Sequence, residues 1–135
     1  MKWLFLLCLF VPSQLVDVGT PQEDWEDLYC KSSLVAHEAL NQSVEGKRAV
    51  LDVIVYRMAK EGTSCRFVAL QRKQFSGFTA SKIQRKWLTS FYEYANMSEV
   101  CKECSHFVRE DVQVVWARKM KYRGQWGSHK FYLEK

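Results

Sequence analysis

Apolar positions recur at helical spacing along most of the chain and give way to short alternating runs only near its end. Trp25, Leu28, Tyr29, Ser32, Val35, Ala36 and Ala39 form one stripe, which predicts a helix beginning near Glu23 or Asp24, where acidic residues favour a helix start. Asn41-Gln42-Ser43 interrupts it. Ser43 suits the N-cap of a second helix with Glu45 in its first turn, and Ala49, Val50, Val53, Ile54 and Met58 give that helix an apolar face ending at Gly62. Residues 63 to 80 read as irregular or weakly extended. A third helix is expected from about Ser81 to Asn96, burying Ile83, Trp87, Leu88, Phe91, Tyr94 and Ala95. A further segment is expected from Glu110 to Lys119. Tyr122 to Gln125 and His129 to Leu133 flank Trp126-Gly127-Ser128 and predict a β-hairpin, with Gly127 supplying the turn. The fold class is therefore α+β, mainly helical, with a C-terminal β-hairpin.

The N-terminus follows a different pattern. Met1-Lys2 precedes an unbroken apolar run from Trp3 to Val11, which Pro12 and Ser13 end. This fits a secretory leader, and residues 1–19 are expected to be a signal peptide or an export anchor, leaving 20–135 as one domain. A membrane span needs roughly 20 apolar residues, more than this run provides. A buried N-terminal core helix is the competing reading.

Cysteine usage agrees with export. Beyond Cys8 in the leader, Cys30, Cys65, Cys101 and Cys104 are an even set, which suggests two disulfides with three connectivities open. Zinc is the rival for these cysteines, but Cys101-Lys-Glu-Cys104 is a lone CxxC. Of the 135 residues 47% are hydrophobic and 14% aromatic, which argues against disorder. The formal charge of +5 suits anionic surroundings or simple solubility, but no dense Lys/Arg run argues for nucleic acid.

Candidate chemistry centres on Glu38, in Val35-Ala36-His37-Glu38-Ala39. A carboxyl group among apolar and small residues resists ionisation, because desolvation disfavours its charged form. A protonated Glu near neutral pH is what acid-catalysed cleavage of a glycosidic bond requires.

Four blocks extend this reading. They are Ala36-His37-Glu38-Ala39 with Val44-Glu45-Gly46; Arg57 with Cys65 and Gln74-Phe75-Ser76; Ser105-His106-Phe107 with Val115-Trp116-Ala117; and Gly127-Ser128-His129-Lys130-Phe131-Tyr132. In this order and spacing, over residues 28 to 132, the chain resembles the spore cortex-lytic, SleB-like family of cell-wall hydrolases. The resemblance implies a lysozyme- and lytic-transglycosylase-like domain acting on peptidoglycan glycan strands, with Glu38 as catalytic residue. It implies a route in which the muramic acid 6-hydroxyl attacks and one Glu serves as acid and then base, leaving a 1,6-anhydro product. It also implies an exported protein of the periplasm or cell wall, needing neither cofactor nor metal. No stable membrane partner is expected beyond the leader. The chain departs from the family pattern at Leu40, where Arg is usual, at Tyr56, where Asn is usual, and in Cys101-Lys-Glu-Cys104-Ser105.

Gln74, Phe75, Ser76, His106, His129 and Tyr132 are the expected substrate-binding residues, since amides and aromatic faces commonly hold sugars. Phe75, Trp116 and Trp126 suit the core equally, and Tyr56 suits a buried structural place. His37 and Glu45 have ordinary structural explanations, the latter at a helix start. Three rivals stand beside the glycosidase. A zinc amidase or peptidase would use the histidines, although position 41 is Asn and the HExxH pattern fails. A cysteine hydrolase would use Cys30 or Cys65. A secreted wall-binding module would have no activity.

Overall fold

The computed structural model describes residues 21–71 and 75–135; the expected leader, 1–19, and Gln74 lie outside them. The order of elements is α1 (Pro21–Ala39), α2 (Val44–Glu61), α3 (Cys65–Leu70), α4 (Leu88–Ala95), β1 (His106–Arg109), β2 (Lys121–Trp126) and β3 (His129–Leu133). Short 3-10 turns at Ala80–Lys82, Arg85–Trp87 and Val115–Lys119 fill the connections. The mainly helical α+β expectation holds, hairpin included.

α1 is the central helix. It begins at Pro21, a residue pre-shaped for the first helical position. Ser32, Ser33, Leu34 and Val35 are all buried, so the helix is covered on more than one face, whereas Trp25, expected inside, is 46% exposed. Leu34, fully buried, lay off the expected stripe because a helix enclosed by neighbours loses its amphipathic signature.

α2 follows the sequence closely. Ser43 accepts a hydrogen bond from the Gly46 N–H, and Gly62 ends the helix at φ +61°, a left-handed conformation that disfavours side chains. Residues Ala49 to Ile54 are buried without a break, Asp52 among them.

Three expectations need correction. Residues 63–80 are not merely irregular: Ser64 caps α3, and Cys65, Val68 and Ala69 bury its inner side. Six residues are too few to display a helical period. The helix expected from Ser81 to Asn96 forms only over α4. Ahead of it the Gln84 N–H donates to Ser33 Oγ at 2.8 Å, and Ser33 Oγ donates back to the Gln84 carbonyl at 3.1 Å. This pairing holds Gln84 extended, at φ −138° and ψ 151°. The segment expected over Glu110 to Lys119 shrinks to the 3-10 turn Val115–Lys119.

The hairpin gains a third strand. The antiparallel sheet runs β1-β3-β2, pairing His106 with Tyr132, Phe107 with Phe131, Tyr122 with Tyr132 and Trp126 with His129, with a bulge between Tyr122 and Gly124. Alternation along β3 sends His129 and Phe131 into the core and Tyr132 to the other face. At the turn, Gly127 has φ +63°, and a Cβ there would strike the Gln42 side chain. That closeness is functional for the fold: the Ser128 N–H donates to Gln42 Oε1 at 2.7 Å, tying the hairpin tip to the end of α1.

Two disulfides resolve the connectivity. Cys30–Cys65 joins α1 to the start of α3, with Cα atoms 6.0 Å apart, and Cys101–Cys104 closes a tight loop. The first spans 35 residues, so replacing both of its cysteines with Ser should lower stability by about 2–4 kcal/mol. A denaturant midpoint equal to that of the parent chain would show that this link carries no stabilisation.

Candidate active site

Glu38 lies in the last turn of α1, three and four residues after the buried Val35 and Leu34. Side chains so spaced share a helix face, so Glu38 sits at the end of the core-facing stripe and is partly buried. Burial pushes its carboxyl above the ordinary Glu value of 4.5, against the opposing pull of His37 and Arg57. Desolvation prevails over both opposing influences.

Two loops bracket this turn. On one side the His37 ring donates from Nε2 to the Ser76 carbonyl at 2.9 Å, and Phe78 meets the same ring edge-on at 5.4 Å. On the other, the Gln42 bond to Ser128 brings in the hairpin tip. The helix end is thus held between the 75–78 loop and the sheet.

Arg57, on α2, links Glu38 to a second group of polar residues. Its Nε donates to the Ser105 carbonyl at 2.7 Å, and its guanidinium lies 5.1 Å from the Phe75 ring centroid. Burial lowers its pKa, while the carboxylates of Glu134, Glu61 and Glu38 act in the opposite sense. Beyond it a cleft of about 160 Å³ is lined by Tyr56, Arg57, Lys60, Ser105, His106 and Glu134. Lys60 donates to Glu134 at 2.5 Å, and His106 Nε2 stands 3.9 Å from the same carboxylate. The Lys60 hydrogen bond holds the Glu134 carboxyl below its usual range. Burial, followed by the charge of Arg57, lowers the His106 pKa and favours the neutral ring.

The expected substrate-binding residues do not form one wall. Phe75 is buried under Arg57, and Ser76 is exposed with its carbonyl engaged by His37. His106 and Tyr132 share the outer sheet face, each with its ring against Trp116, at 5.3 and 5.6 Å. His129 turns to the inner face against Phe107, is 4% exposed, and its Nδ1 finds no partner among the described residues. Trp126 packs edge-on to Phe131, and Glu45 is exposed at its helix start. Leu40 is 52% exposed. Cys30 and Cys65 are bonded to each other, which removes them as thiol nucleophiles. Among the described residues, no group of three or more His, Cys, Asp or Glu side chains is placed to share a metal.

Arg57, Lys60 and Glu134 were not singled out from the sequence as site residues. Arg57 and Lys60 are three apart on α2 and so share a face, a signal that was available. Glu134 has no local signal, because it reaches its partners only through the fold.

The mainly helical α+β architecture has a counterpart among solved structures. It matches the solved catalytic domain of the germination-specific lytic transglycosylase SleB from Bacillus anthracis with a TM-score of 0.67, covering 86% of this chain and 98% of that one. The two sequences are 14% identical, so the likeness is one of fold. No protein-family model matches the sequence, and comparison with curated proteins gives no match.

Proposed function

We propose that this chain cuts peptidoglycan glycan strands as a lytic transglycosylase, with Glu38 as the acid and then the base. The observation that carries the reading is the partly buried Glu38 carboxyl, held towards its protonated form at the end of the central helix. The fold likeness to a lytic transglycosylase supports it. In the first step Glu38 gives its proton to the glycosidic oxygen as that bond breaks. The carboxylate so formed is favoured by the electrostatic influence of His37 and Arg57. It then takes the proton of the attacking muramic acid 6-hydroxyl, and the 1,6-anhydro ring closes. Both carboxyl states are needed in turn, and desolvation set against the opposing influence of His37 and Arg57 keeps both within reach. Ser76 would border the strand on one side, with Phe75 supporting that loop from beneath, and His106 and Tyr132 on the other. His129 would support the sheet from within. Residues 1–19 would direct export to the periplasm or wall, where the disulfides form.

The pH profile of wall lysis tests this proposal. Donation requires the protonated acid, so the rate stays high below the Glu38 pKa and falls as pH rises through it. The falling limb is expected above the ordinary Glu value of 4.5. Arg57→Gln removes a charge that favours the carboxylate, so in that variant the limb should move to still higher pH. A limb that moves to lower pH in Arg57→Gln would remove Glu38 as the group being titrated.

A further inference from the structure

We propose that the groove between the N-terminal half of α1 and the start of α4 is a second, non-catalytic binding site for acidic glycan, the wall polymer itself. This deepens the proposed function and rests on it for the choice of polymer. Trp25 and Tyr29, one helical turn apart, stack their rings at 6.0 Å with planes 30° apart. Together with Arg85, Lys86, Leu88, Thr89 and Tyr92 they line a concavity of about 840 Å³. Trp25 and Tyr92 are each 46% exposed, an unusual outlay of large aromatic surface. Lys86 Nζ lies 4.8 Å from the centroid of the Trp87 ring, so its charge is held beside the groove.

The chemistry selects the ligand. Aromatic faces take the apolar faces of sugar rings, and their polar tips and the Thr89 hydroxyl meet sugar hydroxyls and amides. Among the described residues, Arg85 and Lys86 put two cations and no carboxylate on the lining, complementary to the lactyl and peptide carboxylates of a peptidoglycan strand. Glu26 and Glu93 are exposed next to Trp25 and Tyr92 but do not line the groove.

The groove is separate from the candidate active site. Tyr29 and Glu38 are nine residues apart on one helix, about two and a half turns, which places them on opposite faces and roughly 13 Å apart along the axis. A second hold on an insoluble polymer raises the effective concentration of strands at Glu38 without adding a contact there, an advantage of about 10²–10⁴-fold when both sites engage.

The test is co-sedimentation of the full chain with insoluble peptidoglycan, in a Glu38→Gln background so that the polymer survives. Adding Trp25→Ala and Tyr92→Ala is expected to weaken binding at least about tenfold. Arg85→Glu with Lys86→Glu should do the same, so neither result hangs on one pair of substitutions. In the parent chain, the same changes should leave turnover of short soluble glycan fragments unaltered. Undiminished sedimentation in both variants would overturn the proposal. So would equal losses of sedimentation and soluble turnover, which would merge the groove with the catalytic cleft. Loss of binding to anionic phospholipid vesicles with wall binding intact would overturn it in favour of a membrane surface. If the parent chain cleaves no wall preparation while sedimentation still depends on Trp25 and Tyr92, the catalytic reading fails and the binding site stands.

Discussion

Glu38→Gln is expected to leave a folded protein whose release of soluble fragments from cell walls is reduced by about a thousandfold or more, within the range general acid–base catalysis supplies. Gln has nearly the shape of Glu but neither donates a proton to a leaving oxygen nor accepts one from an attacking hydroxyl. Both halves of the proposed reaction are lost together. The sign of the stability change separates this from simple damage. Burial raises the Glu38 pKa in the folded state, so its favourable contribution is present at acid pH and is lost as pH rises through the folded value. Above that value an ionised, partly desolvated carboxylate opposes folding, and neutral Gln removes that opposition. On that alkaline side the variant should therefore melt at or above the parent temperature. Lost activity with a lower melting temperature would point to disruption of the helix end instead.

The second large effect is on stability. Asp52 is 3% exposed on α2, and its carboxylate accepts hydrogen bonds from Arg48 Nε at 2.8 Å, from the Val100 N–H at 2.9 Å and from the Cys101 N–H at 2.8 Å. One side chain thus ties the helix to the loop that leads through Cys101–Cys104 to Ser105 and β1. Asp52→Ala leaves two backbone donors and a nearly buried guanidinium facing an apolar methyl group. Breaking a buried charged network in this way costs about 3–5 kcal/mol. The thermal midpoint should fall on the order of 10–20 °C. Because Ser105 receives Arg57, any activity that survives should also be weaker. A midpoint within a degree or two of the parent would show that the loop is held by other means.

How far the sequence disclosed this protein depended on the range of the interactions involved. α2 was legible because each of its signals is local: the Ser43 cap, the apolar face from Ala49 to Met58 and the Gly62 stop all act within a turn or two. The hairpin was legible for the same reason, through alternation and Gly127. The Ser81–Asn96 helix was over-read because its apolar period continues through a stretch that Ser33, 51 residues away, holds extended. β1 escaped because four residues with no turn of their own become a strand only beside β3. At the site, Glu38 stood out by its apolar neighbours along one helix. Arg57 as its electrostatic counterpart, and Glu134 with Lys60 and His106, required α2 and the chain end to meet. Asp52 was invisible as an anchor, since a single Asp within an apolar run does not announce what it will bind.

The proposed function turns on which bond is cut and how, and mass analysis of peptidoglycan digested by the purified full chain reads both at once. The expected products are glycan fragments ending in 1,6-anhydro-muramic acid, absent from digests by Glu38→Gln. Fragments with intact glycan and newly freed peptide termini, or no fragments at all from any wall preparation, would contradict it.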